Sequence, residues 1–497
     1  MSLETELKLY IAPEDCSKLL QHPLLQSSHT QTKQLYNSYF DTAKHDLLKQ
    51  GIGLRVRHIG KKRIQTIKTA GKAFGGLHKR QEWENEITAD TPDYSKFPKE
   101  ALININKKNL KQVEIIFSTD FKRTTWDLRF ENSQIEVALD EGTVKCQTAE
   151  TPISEVELEL KAGTPEQLYK VALILQKDIP LNIENKSKAE RGYTLHKPKT
   201  PTFHKAGSVE LPSNLTAEQA FIHIISYCLS HLQANQDIVL YGKNLENIEG
   251  VHQMRVALRR LRSCLNLYKP IISYETHTEI RQEIKWISDV LGIARDWDVF
   301  AQNLKQIQEP ILKILENTIA THQAQAYIEV RQAMHSQRYT RLLLLLGQWL
   351  TEAYWRKTSS SQNLDSPIKD LATTILNKHY QRVSKQGKNL SQLNSEELHN
   401  LRISIKKLAY GTRFFTNLYP LEATRAYAKI LSDLQDELGI LNDNNVANEL
   451  LDKAEIDNNA PARYFLKGWH THQEMTHKKV LKKAWESFLE TKLYWLI

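Results

Sequence analysis

The sequence predicts an α+β chain of two domains, an antiparallel β domain followed by an all-α domain made of a duplicated helical unit. Three observations predict it. Residues 1–195 alternate apolar and charged positions with a period of two; a proline-bearing break follows, with Pro198, Pro201, Gly207 and Pro212; beyond it the apolar spacing turns helical, and one set of motifs recurs at a constant distance.

The β domain is read from segments such as Thr5 to Tyr10, Leu54 to Arg57, Arg63 to Lys68, Gln134 to Asp140 and Glu155 to Leu160, whose alternation is that of strands. Successive side chains of a strand point to opposite faces. Glu4, Glu6 and Lys8 therefore share a face, as do Arg55 and Arg57, Glu82 and Glu84, Glu136 and Asp140, and Glu155, Glu157 and Glu159. Leu7, Leu9, Val56, Val137, Val156 and Leu158 take the other face, and a helical stretch from Pro165 to Gln176 interrupts the series. A single strand of this kind is most simply one side of a sheet facing water. Here several strands carry both signs of charge at one parity, which fits the lining of a wide barrel. Such an interior stands only if its groups are paired or ligated. Carboxylates from several strands suit a hard divalent cation, Mg²⁺ or Mn²⁺. Interleaved Arg and Lys suit a chain of phosphates. A metal, charge neutralisation and an ordered water are what phosphoryl transfer needs.

His196 to Leu215 reads as a linker, which sets the boundaries at 1–197, 198–215 and 216–497. In the last segment His252, Arg255, Arg259 and Arg262 are spaced i, i+3, i+7 and i+10, along one helix face. His399, Arg402 and Lys406 repeat the first three 147 residues later, and Leu291-Gly292 and Asp296 repeat as Leu438-Gly439 and Asp443. One shift relating two separate motif sets indicates an internal repeat of helices, with the polar stretch 358–363 dividing the halves. A lone basic helix face is usually a solvated surface. Two related ones can present two basic rows to one groove, joined by Arg260 and Lys407. Asp296, Asp298 and Asp443 read as partners that orient those cations. The aromatic nearest the first row is Tyr268, beyond its end. A bare polyanion therefore fits better than nucleic acid, which stays a secondary partner.

Composition narrows the rest. The 497 residues have room for two cores, and a net charge of +9 spread over both halves makes neither a polycation. No apolar run approaches the roughly 20 residues of a membrane span. Cys16, Cys146, Cys228 and Cys264 are scattered without a CxxC pair, which argues against a disulfide framework or a zinc site. With no secretory pattern at the start of the sequence, a cytoplasmic location is expected.

Taken in order, Glu4-x-Glu6-x-Lys8, Tyr39-Phe40-Asp41-Thr42, Leu54-Arg55-Val56-Arg57, Lys68, Glu82 with Glu84, Arg123, Asp140, Glu157-x-Glu159 and Lys186-Ser187-Lys188 before Arg191-Gly192-Tyr193 resemble the CYTH superfamily, the triphosphate tunnel metalloenzymes. Over roughly residues 1–195 the resemblance implies an eight-stranded antiparallel tunnel with peripheral helices. It implies Mg²⁺ or Mn²⁺ ligation by Glu4, Glu6, Asp140, Glu157 and Glu159, and catalytic roles for Lys8, Glu82, Glu84 and Asp140. It implies triphosphate contacts from Lys8, Arg55, Arg57, Lys68, Arg123, Lys186, Lys188 and Arg191.

Residues 251–262, residues 291–299 and Leu398-His399-x-x-Arg402 onward through Leu438-Gly439 resemble the CHAD domain. That resemblance implies two pseudo-symmetric bundles binding long-chain polyphosphate through His252, Arg255, Arg259, Arg260, Arg262, His399, Arg402, Lys406 and Lys407. Ala409 stands where that family usually has arginine. The pair of domains implies an inorganic triphosphatase that cleaves tripolyphosphate to pyrophosphate and phosphate. Adenylate cyclase, thiamine triphosphatase and RNA triphosphatase are the alternatives within the fold. A non-enzymatic polyphosphate-binding adaptor is the alternative outside it, against which the complete acidic set argues.

Overall fold

The period-two segments form ten strands: β1 (Ser2–Ile11), β2 (His29–Asp41), β3 (Ile52–Ile59), β4 (Lys62–Thr69), β5 (Lys72–Phe74), β6 (Leu77–Ile87), β7 (Glu114–Phe130), β8 (Ser133–Lys145), β9 (Glu150–Ala162) and β10 (Leu181–Ile183). The computed structural model describes residues 2–69, 71–102, 110–147, 149–198, 200–242, 245–357, 361–457 and 460–496, so 358–360 of the polar divider lie outside the described residues. The chain divides into two units. The first takes residues 1–201 and 335–353, the second 202–334 and 354–497.

In the first unit β1 pairs with β9 on one side and β6 on the other, which closes an antiparallel ring β1-β9-β8-β7-β2-β3-β4-β6. This is the eight-stranded antiparallel tunnel that the resemblance implies. Its charged parity faces inward and its apolar parity outward, the reverse of a small barrel with a packed interior. The outer face must therefore be covered. Leu7, Leu9, Val137, Val156 and Leu158 pack against Leu168, Val171 and Leu175 of α1 (Glu166–Asp178) and against Leu344 of an inserted helix, Gln337–Glu352. Leu54, Val56, Ile67 and Trp83 pack beneath Phe97 and Ala101, and Phe117, Val144 and Ile153 around Tyr193 of α2 (Lys188–His196). Each such side chain contributes about 1.5–3 kcal/mol on burial.

The second unit is helical. Its longer helices are α3 (Ala217–Ala234), α4 (Leu245–Leu267), α5 (Thr278–Ile307) and α6 (Glu316–His335), then α7 (Ile368–Gln386), α8 (Ser395–Phe414), α9 (Leu421–Lys453) and α10 (Pro461–Glu490). Each member of the second set of four begins within four residues of 147 positions after its counterpart, so the repeat extends to whole helices. The inserted helix falls between the sets. Residues 202–215 form no helix or strand, yet Val209 and Leu211 are buried and the His204 carbonyl accepts a hydrogen bond from Asn235 Nδ2 at 3.0 Å. All four cysteines are free. Among the described residues no helix is long and apolar enough to cross a membrane.

Candidate functional site

Strand register carries the charged groups into the barrel. Across neighbouring strands Glu4 faces Arg80, Lys8 faces Glu157, Glu6 faces Glu159, Glu136 faces Glu159, Arg123 faces Asp140, and Lys68 faces Glu82. All of these but the wholly buried Asp140 line a cavity of about 490 Å³. Nearly as many glutamates as lysines and arginines surround it, arranged unevenly.

One sector is rich in arginine. Arg57 donates from Nε to the Asn37 side-chain carbonyl at 2.8 Å, and among the described residues no carboxylate stands within ion-pair distance of it. Burial, with Arg55 and Arg123 beside it, pulls Arg57 down to about 10. Arg55 reaches Glu82 and Glu84 only at 3.5 and 3.6 Å. The Tyr39 ring lines the same wall, and although burial works to raise its phenol, Arg55, Lys188 and Arg57 outweigh that and lower it. At Arg55 burial is outweighed by Tyr39, Glu82 and Glu84, which raise it, so Arg57 is, among the described residues, the buried cation of this sector without a carboxylate beside it.

The opposite sector is acidic. Glu4 is held by Lys68 at 2.6 Å and Arg80 at 2.7 Å; burial works to raise its carboxyl, and these two cations overcome it. Arg80 also pairs with Glu6, and Lys8 bridges Glu6 at 3.4 Å and Glu157 at 3.0 Å. At Glu159 burial pushes the carboxyl up, Glu4 and Glu136 push it further, and Lys161 at 2.7 Å opposes them. Three glutamates thus crowd one place, positive charge falls short at Glu159, and every donor is an oxygen. That set fits a hard divalent cation.

A second carboxylate group has different company. Asp140, Glu155 and Glu157 each offer an oxygen within 4.8 Å of the others. Arg123 grips Asp140 through two hydrogen bonds of 2.7 and 2.6 Å and reaches Glu157; Lys188 reaches Asp140, Glu155 and Glu157; Arg191 binds Glu155. These carboxylates hold Arg123 and Lys188 in place, and their oxygens also form a group that could hold a cation.

Some expected residues stand elsewhere. Lys186 is exposed and is not among the residues that line the cavity. The reason is local. Ser187 Oγ accepts from the Glu190 N–H at 3.1 Å while the Glu190 carboxylate accepts from the Ser187 N–H at 2.7 Å, a capping box that starts α2 at Lys188 and turns that lysine inward. Arg191 does not line the cavity and binds the site's Glu155 from behind. Asp41 of the Tyr39-Phe40-Asp41-Thr42 motif is structural, accepting from Leu47 N at 2.9 Å and from the Tyr193 hydroxyl at 2.9 Å. Arg80, His78 and Glu155 belong to the site although no motif of the sequence marks them. Arg80 sits two positions before Glu82, at the inward parity, so alternation marks it.

In the second unit α4 and α8 bring the two basic rows together. Arg259 Nε donates to the Tyr410 hydroxyl at 2.6 Å. Arg255 lies across α5 at Gly292, where a Cβ would come within 2.7 Å of its Nη1, and reaches Asp296 at 4.0 Å. Burial, with Arg402 and Arg259 nearby, pulls Lys406 down to about 7. Burial also lowers His252, beside Arg295. His399 Nδ1 stands 3.2 Å from the Asn442 side-chain oxygen. Arg260 departs from expectation. It is buried, donates to the Gly207 carbonyl at 3.0 Å and stacks over Tyr227, on the side of α4 away from the row. Arg262 is exposed and influences Lys407 together with Arg382 and Arg281.

A CYTH domain matches residues 2–193 and a CHAD domain residues 223–452. An inorganic triphosphatase of Haemophilus influenzae is 37% identical over 198 residues, 39% of this chain and 55% of that protein. An uncharacterized protein of Mycobacterium tuberculosis is 26% identical over 207 residues, 38% of this chain and 39% of that protein. The chain thus spans about half or less of the curated relatives it matches. The crystal structure of the CHAD domain from the plant Ricinus communis aligns at a TM-score of 0.51 and 31% identity, over 56% of this chain and 95% of that one.

Proposed function

The chain joins a CYTH domain to a CHAD domain, and from that premise we propose that it is a metal-dependent inorganic triphosphatase, cleaving tripolyphosphate to pyrophosphate and phosphate, with a helical unit that binds long-chain polyphosphate. The observation that carries the first half is the uneven charge of the tunnel. Buried Arg57 lacks a carboxylate partner among the described residues, and Glu159, pushed up by burial and by Glu4 and Glu136 against Lys161, lacks enough cation. A triphosphate complexed with a divalent ion supplies both.

In this reading Glu4, Glu6, Glu157 and Glu159 hold Mg²⁺ or Mn²⁺, which when bound contributes charge neutralisation and Lewis-acid polarisation. Arg55, Arg57, Arg123, Lys8, Lys68 and Lys188 hold the phosphate oxygens. Asp140 and Glu155 keep Arg123 and Lys188 aimed inward. Glu82, 3.1 Å from Lys68, and Glu84, which accepts from Thr66 Oγ1 at 3.0 Å, position the lysine and Arg55. Arg80 balances Glu4 and Glu6, so it competes with the cation for them.

Charged residues make up 17 of the 29 that line the cavity, and Tyr39, His78 and Tyr193 are the rings among the rest. That favours a bare triphosphate over a nucleotide, thiamine triphosphate or RNA. The test is phosphate release from tripolyphosphate, ATP, thiamine triphosphate and 5′-triphosphorylated RNA with Mg²⁺ and Mn²⁺. Fastest turnover of tripolyphosphate supports the reading; pyrophosphate and cyclic AMP from ATP would replace it with cyclase activity. Absence of any metal-dependent release would leave an adaptor.

For the helical unit, Lys406 yields a pH prediction. A polyanion favours the charged amine, so binding takes up a proton once the pH exceeds the free-protein value of about 7. Affinity for polyphosphate should fall between pH 7 and 9, by up to about tenfold per pH unit, and Lys406→Arg should flatten the profile. Titration calorimetry in buffers of different ionisation enthalpy reads the proton directly, and equal affinity at pH 6.5 and 8.5 contradicts the assignment.

A further inference from the structure

We infer that the inserted helix, Gln337–Glu352, is a positioning element of the tunnel, holding the barrel seam at Lys8 closed. The inference rests on the reading of Lys8 as a triphosphate ligand.

The seam is a consequence of strand lengths. On its outer side β1 pairs with β6 over residues 2–7 and with β10 over residues 9–11. Lys8 falls between the two partners. Its N–H donates to the Gly76 carbonyl at 3.2 Å, at the turn before β6, and its carbonyl accepts from the Glu184 N–H at 3.0 Å, just past β10. The orientation of the Lys8 ammonium, and with it Glu6 and Glu157, therefore depends on two short pieces of backbone staying together. On this side Lys8 meets only the turn before β6 and the end of the three-residue β10, while its other side stays in the β9 ladder.

The inserted helix touches both pieces. Gln337 Oε1 accepts from the Leu181 N–H of β10 at 3.1 Å, and the Gln337 carbonyl accepts from Gln176 Nε2 of α1 at 2.8 Å. Thr340 Oγ1 donates to the Asn182 side-chain carbonyl at 3.1 Å. One turn of helix thus caps the open edge of β10.

Farther along, Gly347 meets the face of Tyr169 so closely that a Cβ would lie 2.2 Å from the ring. The Tyr169 hydroxyl in turn faces Gly75, whose own Cβ position lies 3.3 Å from it and 3.6 Å from the Leu343 carbonyl. Gly75 and Gly76 have φ of +57° and +81°, a conformation that favours glycine and makes the sharp turn into β6. A Cβ on Gly76 would lie 2.9 Å from Ile183 of β10 and 3.0 Å from Leu7 of β1. Turn, β10 and β1 thus meet with no spare volume, and the helix presses on them through Tyr169. Leu344 sits wholly buried in the same core.

The test uses the full chain. Gly347→Val forces Tyr169 against the turn, and Gln337→Ala removes the β10 cap without added volume. Hydrogen exchange by mass spectrometry should quicken at least tenfold in segments 5–11 and 181–186 of both variants and stay unchanged in β7 and β8. KM for tripolyphosphate should rise several-fold, with kcat within about twofold. Tyr169→Leu, which vacates the space the valine needs, should recover part of the Gly347→Val effect. If exchange at the seam is unchanged in both folded variants, or rises equally around the whole barrel, the helix adds only general stability and the inference falls. Should Gly347→Val not fold, Gln337→Ala alone decides. Exchange reports on the seam even if wild-type protein releases no phosphate, so loss of the triphosphatase reading and loss of this one are told apart.

Discussion

Glu6→Gln lowers metal-dependent phosphate release from tripolyphosphate on the order of 10²–10³-fold and leaves the barrel folded. The side chain is 3% exposed and changes only in charge. Its two cations do not lose their last partner. Arg80 keeps Glu4 at 2.7 Å, and Lys8 keeps Glu157 at 3.0 Å. The structural cost is then that of one weakened buried pair, about 1–3 kcal/mol. The functional cost is larger, because an amide is a poor ligand for a hard cation and Glu6 stands beside Glu4 and opposite Glu159. Glu131→Gln is the control: that carboxylate is exposed and pairs with Lys170 of α1 at 3.1 Å. Phosphate release and thermal melting on the two variants check the prediction. A folded Glu6→Gln protein with near-normal turnover removes the tunnel from the catalysis.

The inward face of the barrel was legible because a period of two is a local property. Knowing that Glu6 faces inward places Glu4 and Lys8 without any tertiary information. The same rule reaches Arg80 from Glu82 and Glu84, although no motif marks it. Lys186 and Lys188 share a parity too, and there alternation fails. The segment is no longer a strand, and the capping box of Ser187 and Glu190 decides which lysine turns inward. Arg259 and Arg260 show the helical version. One residue is 100° of rotation, enough to send Arg259 to Tyr410 and Arg260 to Gly207 and Tyr227.

The inserted helix was legible as a buried helix stripe, but its place was not. Its five successive leucines, Leu342 to Leu346, announce burial without saying against what. A helix between two repeated sets of four has no counterpart to predict its place, and its partner α1 lies far back in the chain. Local pattern sets which face of an element is apolar; the choice of partner is a tertiary competition between apolar faces.

Reversing Arg255 and Arg402 together to Glu should reduce affinity for long-chain polyphosphate at least 100-fold at low salt. The two residues occupy equivalent places in the repeat, on α4 and α8, and each is held below the usual guanidinium range first by burial and then by Arg259 among its neighbours. Such a cluster is costly without an anion, and Asp296 at 4.0 Å from Arg255 is only a distant counter-charge. A polyphosphate chain supplies the missing charge and releases counterions as it binds, so the logarithm of affinity should fall steeply with the logarithm of salt concentration. Removing two phosphate contacts should flatten that slope by about two. Lys429→Glu is the control: that lysine is exposed on α9 and already paired with Asp433 at 2.6 Å, so its reversal should change affinity less than about threefold, as for a surface pair. Fluorescence anisotropy over a salt series, with RNA of equal length as competitor, measures both slope and preference. If the double reversal binds as wild type does, the paired basic rows of α4 and α8 are not the groove. Stronger binding of RNA than of polyphosphate at equal salt would make nucleic acid the ligand of the helical unit.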